Sequence, residues 1–155
     1  MEPEVMQGLG RMGAAAAVAM AAIGSVLGTG AAGLAAVGAW KRCFMQNKAA
    51  PFILVTFVGA PLSQTLYGMI LMGDIVKAAT AAPAMYWAML GAGFLGGIAM
   101  GFSAWFQGRV GAGAADAMAE TGKGFGNYLM ALGIIETVAL FVMLFIGKAI
   151  AVPGM

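Results

Sequence analysis

The sequence predicts an all-α membrane protein whose four transmembrane helices form two duplicated helical hairpins and assemble into a ring. Three observations point there. Apolar residues make up 62% of the chain and charged ones 9%, against about 45–50% and about 25% in a soluble domain. The charges cluster, leaving neutral runs over 12–40, 49–73, 78–108 and 124–147, the last broken only by Glu136. The two halves of the chain also repeat one pattern.

Each run exceeds the roughly 20 residues a helix needs to cross about 30 Å of hydrocarbon. The first run follows Glu2, Glu4 and Arg11 and is longer than the roughly 7–15 residue core of a secretory signal, so it reads as a span. The expected first hairpin is 1–79, with helices at about 12–40 and 49–76. The second is 84–155, with helices at about 84–109 and 124–148. The turn Thr80-Ala81-Ala82-Pro83 divides them, its proline stopping the helix before it. Helices and short loops use nearly the whole chain, so no water-soluble domain is expected.

Lys41, Arg42 and Lys48 give the 41–48 loop three positive charges and no negative one. The positive-inside bias then puts the hairpin loops in the cytoplasm and both termini outside. The 109–123 loop, with Arg109 and Lys123 against Asp116 and Glu120, is nearly balanced. Asp74, Lys77 and Lys148 read as interfacial residues at the opposite end. Cys43 is alone and there is no histidine, which excludes an internal disulfide and the usual transition-metal sites. No Gly-rich, Lys-terminated nucleotide loop occurs, so no catalysis by this chain alone and no nucleic-acid partner are expected.

In each half a Gly/Ala-rich helix precedes a bulkier one. GSVLGTGAAG (24–33) lies over FSAWFQGRVG (102–111), which puts Ser25 over Ser103 and Thr29 over Gln107. Gly24 and Gly28, and Gly93, Gly97 and Gly101, form stripes that allow close helix approach. Two such helices suit the narrow inner wall of a ring, with Phe52, Phe57, Phe141 and Phe145 expected outside. A subunit of two similar hairpins already contains one copy of the repeating contact that a ring needs.

Glu136 sits midway along the fourth run, where an acidic residue costs about 2.5–3.5 kcal/mol to insert. Desolvation alone would keep it protonated, whereas a cation or several donors would favour the ionised form. Other polar residues share its depth. Ser63, Gln64 and Tyr67 lie three and four apart or adjacent, on one helix face. Pro61 removes a backbone N–H, which should kink the helix and free the Phe57 carbonyl. Gln107 adds an amide oxygen from the third run. A hard monovalent cation needs several oxygens in place of its hydration shell. Glu136, Gln64, Gln107, Ser63 and a backbone carbonyl would supply them, whereas a proton site needs little beyond the carboxyl. From these residues alone, a proton-coupled four-helix secondary transporter and a purely structural protein stay open as alternatives.

Pro61, Ser63-Gln64, Leu66-Tyr67-Gly68, Gln107-Gly108 and Glu136-Thr137 together resemble the proteolipid ring component (the K or c subunit) of V-type and archaeal-type rotary ATPases, over essentially all four spans. In the sodium-transporting members the resemblance implies a site made of Glu136, Ser63, Gln64, Gln107 and the Ala60 carbonyl, with Tyr67 hydrogen-bonding the carboxylate. Ser63 stands for a threonine, and Leu62 and Thr65 for glycines. The implied cargo is Na+, with H+ as the alternative. The implied partners are other copies of the chain in the ring, a stator subunit, a central stalk at the hairpin loops, and lipid, in a prokaryotic plasma membrane. The first hairpin's counterpart of Glu136 falls at 62–64, where no carboxylate exists, so one ion site is expected per chain.

Overall fold

The computed structural model describes residues 1–152, and among them every regular element is helical. Four helices have the length and apolar character to cross a membrane: Pro3–Met45, Phe52–Ala81, Pro83–Thr121 and Phe125–Ala149. They are called the first to fourth helices below. The first spans 43 residues, about 65 Å at 1.5 Å per residue, and so projects well beyond the hydrocarbon.

The helix ends correct the expected boundaries. The 109–123 segment, read as a loop, is helical as far as Thr121. The turn is confined to the residues around Gly122 and Gly124, both at positive φ (64° and 88°), a conformation glycine adopts without steric cost. The 41–48 segment is likewise helical to Met45. Charged residues mark where the chain leaves lipid, and a helix that is hydrogen-bonded internally continues through that boundary. The first helix also begins at Pro3, well before 12, because Glu4 and Arg11 are compatible with helix in water. In the extended ends Arg42 pairs with Asp116 and, at 3.5 Å, with Glu120. Asp116 and Glu120 are one turn apart, so a single guanidinium joins the first helix to the third. The side chains are about half exposed, and such a pair sets register more than it stabilises.

The first and third helices run parallel along a seam of small residues. A Cβ placed on Gly93 would overlap the Gly13 backbone, one on Gly24 the Gly101 backbone, and one on Gly108 the Gly28 backbone. With no side chains between them the two helices touch backbone to backbone, which is how membrane helices gain dispersion contacts when lipid offers no hydrophobic drive. The second helix lies over this seam. Buried Pro61 enters it where a Cβ on Gly28 would lie 2.9 Å from the proline ring. The fourth helix packs on the second and third and buries only Leu132, Ala139 and Met143.

Pro61 interrupts its helix as expected: Val55–Gly59 and Ser63–Ala81 are α-helical and Ala60–Leu62 is a 3-10 turn. Of the four phenylalanines expected outside, Phe52, Phe141 and Phe145 are exposed. Phe57 is fully buried. Its ring packs against Phe125 (centroids 5.6 Å apart) and Tyr128 (6.1 Å), pinning the second helix to the start of the fourth. Leu54, Phe57, Pro61, Gln64, Gly68, Leu71 and Ile75 are all buried, an unbroken spacing of three and four that carries one inward face through the Pro61 turn and puts Phe57 on it.

Candidate ion-binding site

The Pro61 turn, the Gly28–Gly108 crossing and the middle of the fourth helix meet at one level of the bundle. There the second helix presents Ser63, Gln64 and Tyr67, the third presents Gln107, and the fourth presents Glu136. Gln107 directly precedes Gly108, so the residue that lets the backbones touch also brings this amide to the centre. Gln64 and Gln107 are fully buried, while Tyr67 and Glu136 are half-buried.

These side chains form one hydrogen-bonded chain. The Tyr67 hydroxyl donates to Glu136 Oε1 at 2.8 Å. Gln107 Nε2 donates to Leu132 O at 3.1 Å and to Glu136 Oε2 at 3.4 Å. Gln64 Nε2 donates to Gln107 Oε1 at 2.9 Å. Ser63 Oγ has both Ala60 O, at 3.1 Å, and Gln64 Oε1, at 3.2 Å, within donating reach. All six residues named from the sequence are thus in one network, and Ala60 enters it through its carbonyl.

The chemistry follows from the donors and acceptors. Both carboxylate oxygens of Glu136 accept a hydrogen bond, and among the described residues no Lys or Arg pairs with it. A charge on Glu136 would have no counter-charge among the described residues, which is costly in lipid. Farther along the same network Ala60 O, Ser63 Oγ and Gln64 Oε1 lie close together with few protons to share. Gln107 Oε1, which accepts from Gln64, adds a further oxygen to the network. This set fits an oxygen-seeking monovalent cation.

Sequence reasoning missed two supports. Ser103 Oγ donates to Ile135 O at 2.9 Å, one turn from Gln107 on the same face, so the third helix grips the fourth at two carbonyls in the turn that leads into Glu136. The i, i+4 spacing of Ser103 and Gln107 was the available signal. Thr65 Oγ1 donates to Ser25 Oγ at 2.9 Å, tying the second helix to the first beside Gln64, and only distance across the fold reveals that pair. Thr29, the counterpart of Gln107 in the first hairpin, has a buried Oγ1 with no partner among the described residues, and nothing in the structure explains it.

Comparison with known proteins concerns mainly the second hairpin. Residues 90–146 match the family model for the C subunit of ATP synthase; they include both Gln107 and Glu136. No curated protein matches the chain. The chain is an integral, multi-pass helical membrane protein by its four long apolar spans. Its second hairpin is similar to the C subunit of ATP synthase.

Proposed function

We propose that the chain is the sodium-carrying ring subunit of a V-type rotary ATPase. One observation carries this reading: the single mid-span carboxylate, Glu136, is half-buried in one hydrogen-bonded network with Tyr67, Gln107, Gln64 and Ser63 of the second and third helices. A proton carrier has no need to bury two glutamines, whereas a cation stripped of water has.

In this mechanism Na+ enters from a stator subunit and is held by Glu136, Gln64, Gln107, Ser63 and the Ala60 carbonyl. The Tyr67 hydroxyl keeps the carboxylate aimed at the ion. Charge neutralisation lets the loaded protomer turn into lipid, a passage too costly for the empty, ionised site. The hairpin loops face the cytoplasm of a prokaryotic cell and meet the central stalk, with the Arg42, Asp116 and Glu120 contact holding the two loop ends in register. The first hairpin offers Gln64 where an acid would stand, so one ion moves per four helices. Fewer ions per turn let each be driven against a steeper potential, at about 2.3 kcal/mol per charge per 100 mV. The rival secondary transporter requires the hairpins to rock, which the backbone contact at Gly13–Gly93, Gly24–Gly101 and Gly28–Gly108 opposes.

Carbodiimide modification, which requires a protonated carboxyl, tests the reading. Labelling of Glu136 is expected to slow as Na+ is added, with more Na+ needed at lower pH because proton and ion compete for one group. Labelling that falls with rising pH but ignores Na+ would make the cargo a proton. Failure to label Glu136 at any pH would remove it from transport.

A further inference from the structure

At the end of the bundle that carries the chain termini, the second and fourth helices part around a cleft of about 340 Å³. Its floor is apolar, from Ile70, Met143 and Leu144, and its rim carries Asp74, Lys77 and Lys148. Ile70 and Leu144 are 47% and 44% exposed, so the floor opens sideways onto the face that also bears Leu66, Phe141 and Phe145. Gly147 keeps the cleft open, because a Cβ there would come within 3.1 Å of Asp74 Oδ2.

The charges at the rim do not cancel. Asp74 is engaged by Lys77, one turn away, at 3.6 Å, and among the described residues no carboxylate lies within 4 Å of Lys148. Two ammonium groups against one carboxylate leave one net positive charge above an apolar floor. It sits where both helices end, at Ala81 and Ala149, which is the depth of the lipid headgroups. A positive rim with an apolar, laterally open floor complements an amphiphile with an anionic head, and it is wrong for a cation.

We propose that this cleft binds an anionic phospholipid, its phosphodiester at Lys77 and Lys148 and one acyl chain along Ile70 and Leu144. The site is separate from the Glu136 network and does not depend on which ion is carried. Occupied on each protomer, it would hold a lipid annulus on the outer helices.

The test uses the full chain in phosphatidylcholine vesicles with a trace of spin-labelled phosphatidylglycerol or spin-labelled phosphatidylcholine, and compares the motionally restricted fraction of each. One net charge at the surface predicts retention of phosphatidylglycerol about fivefold above phosphatidylcholine. The double variant K77Q/K148Q should abolish that preference, and D74N, which removes the competing carboxylate, should increase it. A change in opposite directions from neighbouring substitutions cannot come from misfolding. Equal retention of the two lipids by the unaltered protein, or a preference that survives K77Q/K148Q, would overturn the proposal. Displacement of the lipid by millimolar inorganic phosphate would also overturn it, making the occupant a free anion.

Discussion

Replacing Glu136 by Gln is expected to abolish ATP-driven 22Na+ uptake into vesicles reconstituted with the complete rotary complex, leaving the chain folded and assembled. The substitution conserves shape. The amide oxygen still accepts from Tyr67, so the 2.8 Å contact survives, and what is lost is the long 3.4 Å acceptance from Gln107, whose nitrogen keeps Leu132 O. The exchange of one charged acceptor for a neutral one should change stability by no more than about 1–2 kcal/mol. The effect on ion handling is of another kind, because the site loses its only negative charge. Neutral oxygens alone do not compensate a cation for its lost water in a lipid-facing position, and a permanently neutral site has nothing to release at the stator. Undiminished uptake with Glu136→Gln would show that the cargo passes elsewhere.

Gly108→Ala is expected to be among the most damaging single-methyl changes in the described chain. The added Cβ would overlap the carbonyl and Cα of Gly28, and backbone within a packed helix cannot move aside as a side-chain end does. Overpacking of side chains costs about 1–3 kcal/mol, and a clash with backbone at a three-helix crossing belongs at or above the top of that range. The damage should reach the ion site, because Gln107 is the adjacent residue and Pro61 packs into the same crossing. Gly30→Ala provides the comparison: it lies on the same first helix, two residues beyond Gly28, with nothing within 4 Å of the new methyl. There the gain in helix propensity, about 0.5–1 kcal/mol, is unopposed. Thermal denaturation of the two variants in detergent, followed by circular dichroism, should show a markedly lowered midpoint for Gly108→Ala and an unchanged or raised one for Gly30→Ala. Similar midpoints would mean that the seam is not held by backbone contact.

Much of this architecture is written in local composition. Four neutral runs give four spans, and the spacing of small residues foretells which helices meet backbone to backbone. Glu136 stands out because one carboxylate among isoleucine, valine and leucine needs a physical reason. Ser63, Gln64 and Tyr67 are legible as one helix face because their spacing is short. Helix ends are not legible in the same way: Arg109 and Asp116 report the edge of the lipid, while hydrogen bonding carries the helix on to Thr121. Bulk alone misplaces Phe57, because its spacing of three and four from Leu54 and Pro61 puts it on their buried face. Ser103 to Ile135 and Thr65 to Ser25 join residues whose proximity exists only after the four helices pack.

The central claim is that oxygens from the second, third and fourth helices hold one sodium ion against Glu136. Equilibrium binding of 22Na+ to the purified ring, counted per chain, tests it most directly. The expected result is one ion per chain in the unaltered protein, none in Glu136→Gln, and weaker binding in Gln64→Ala and Gln107→Ala. Absence of saturable sodium binding at neutral pH, or binding indifferent to both glutamines, would contradict it.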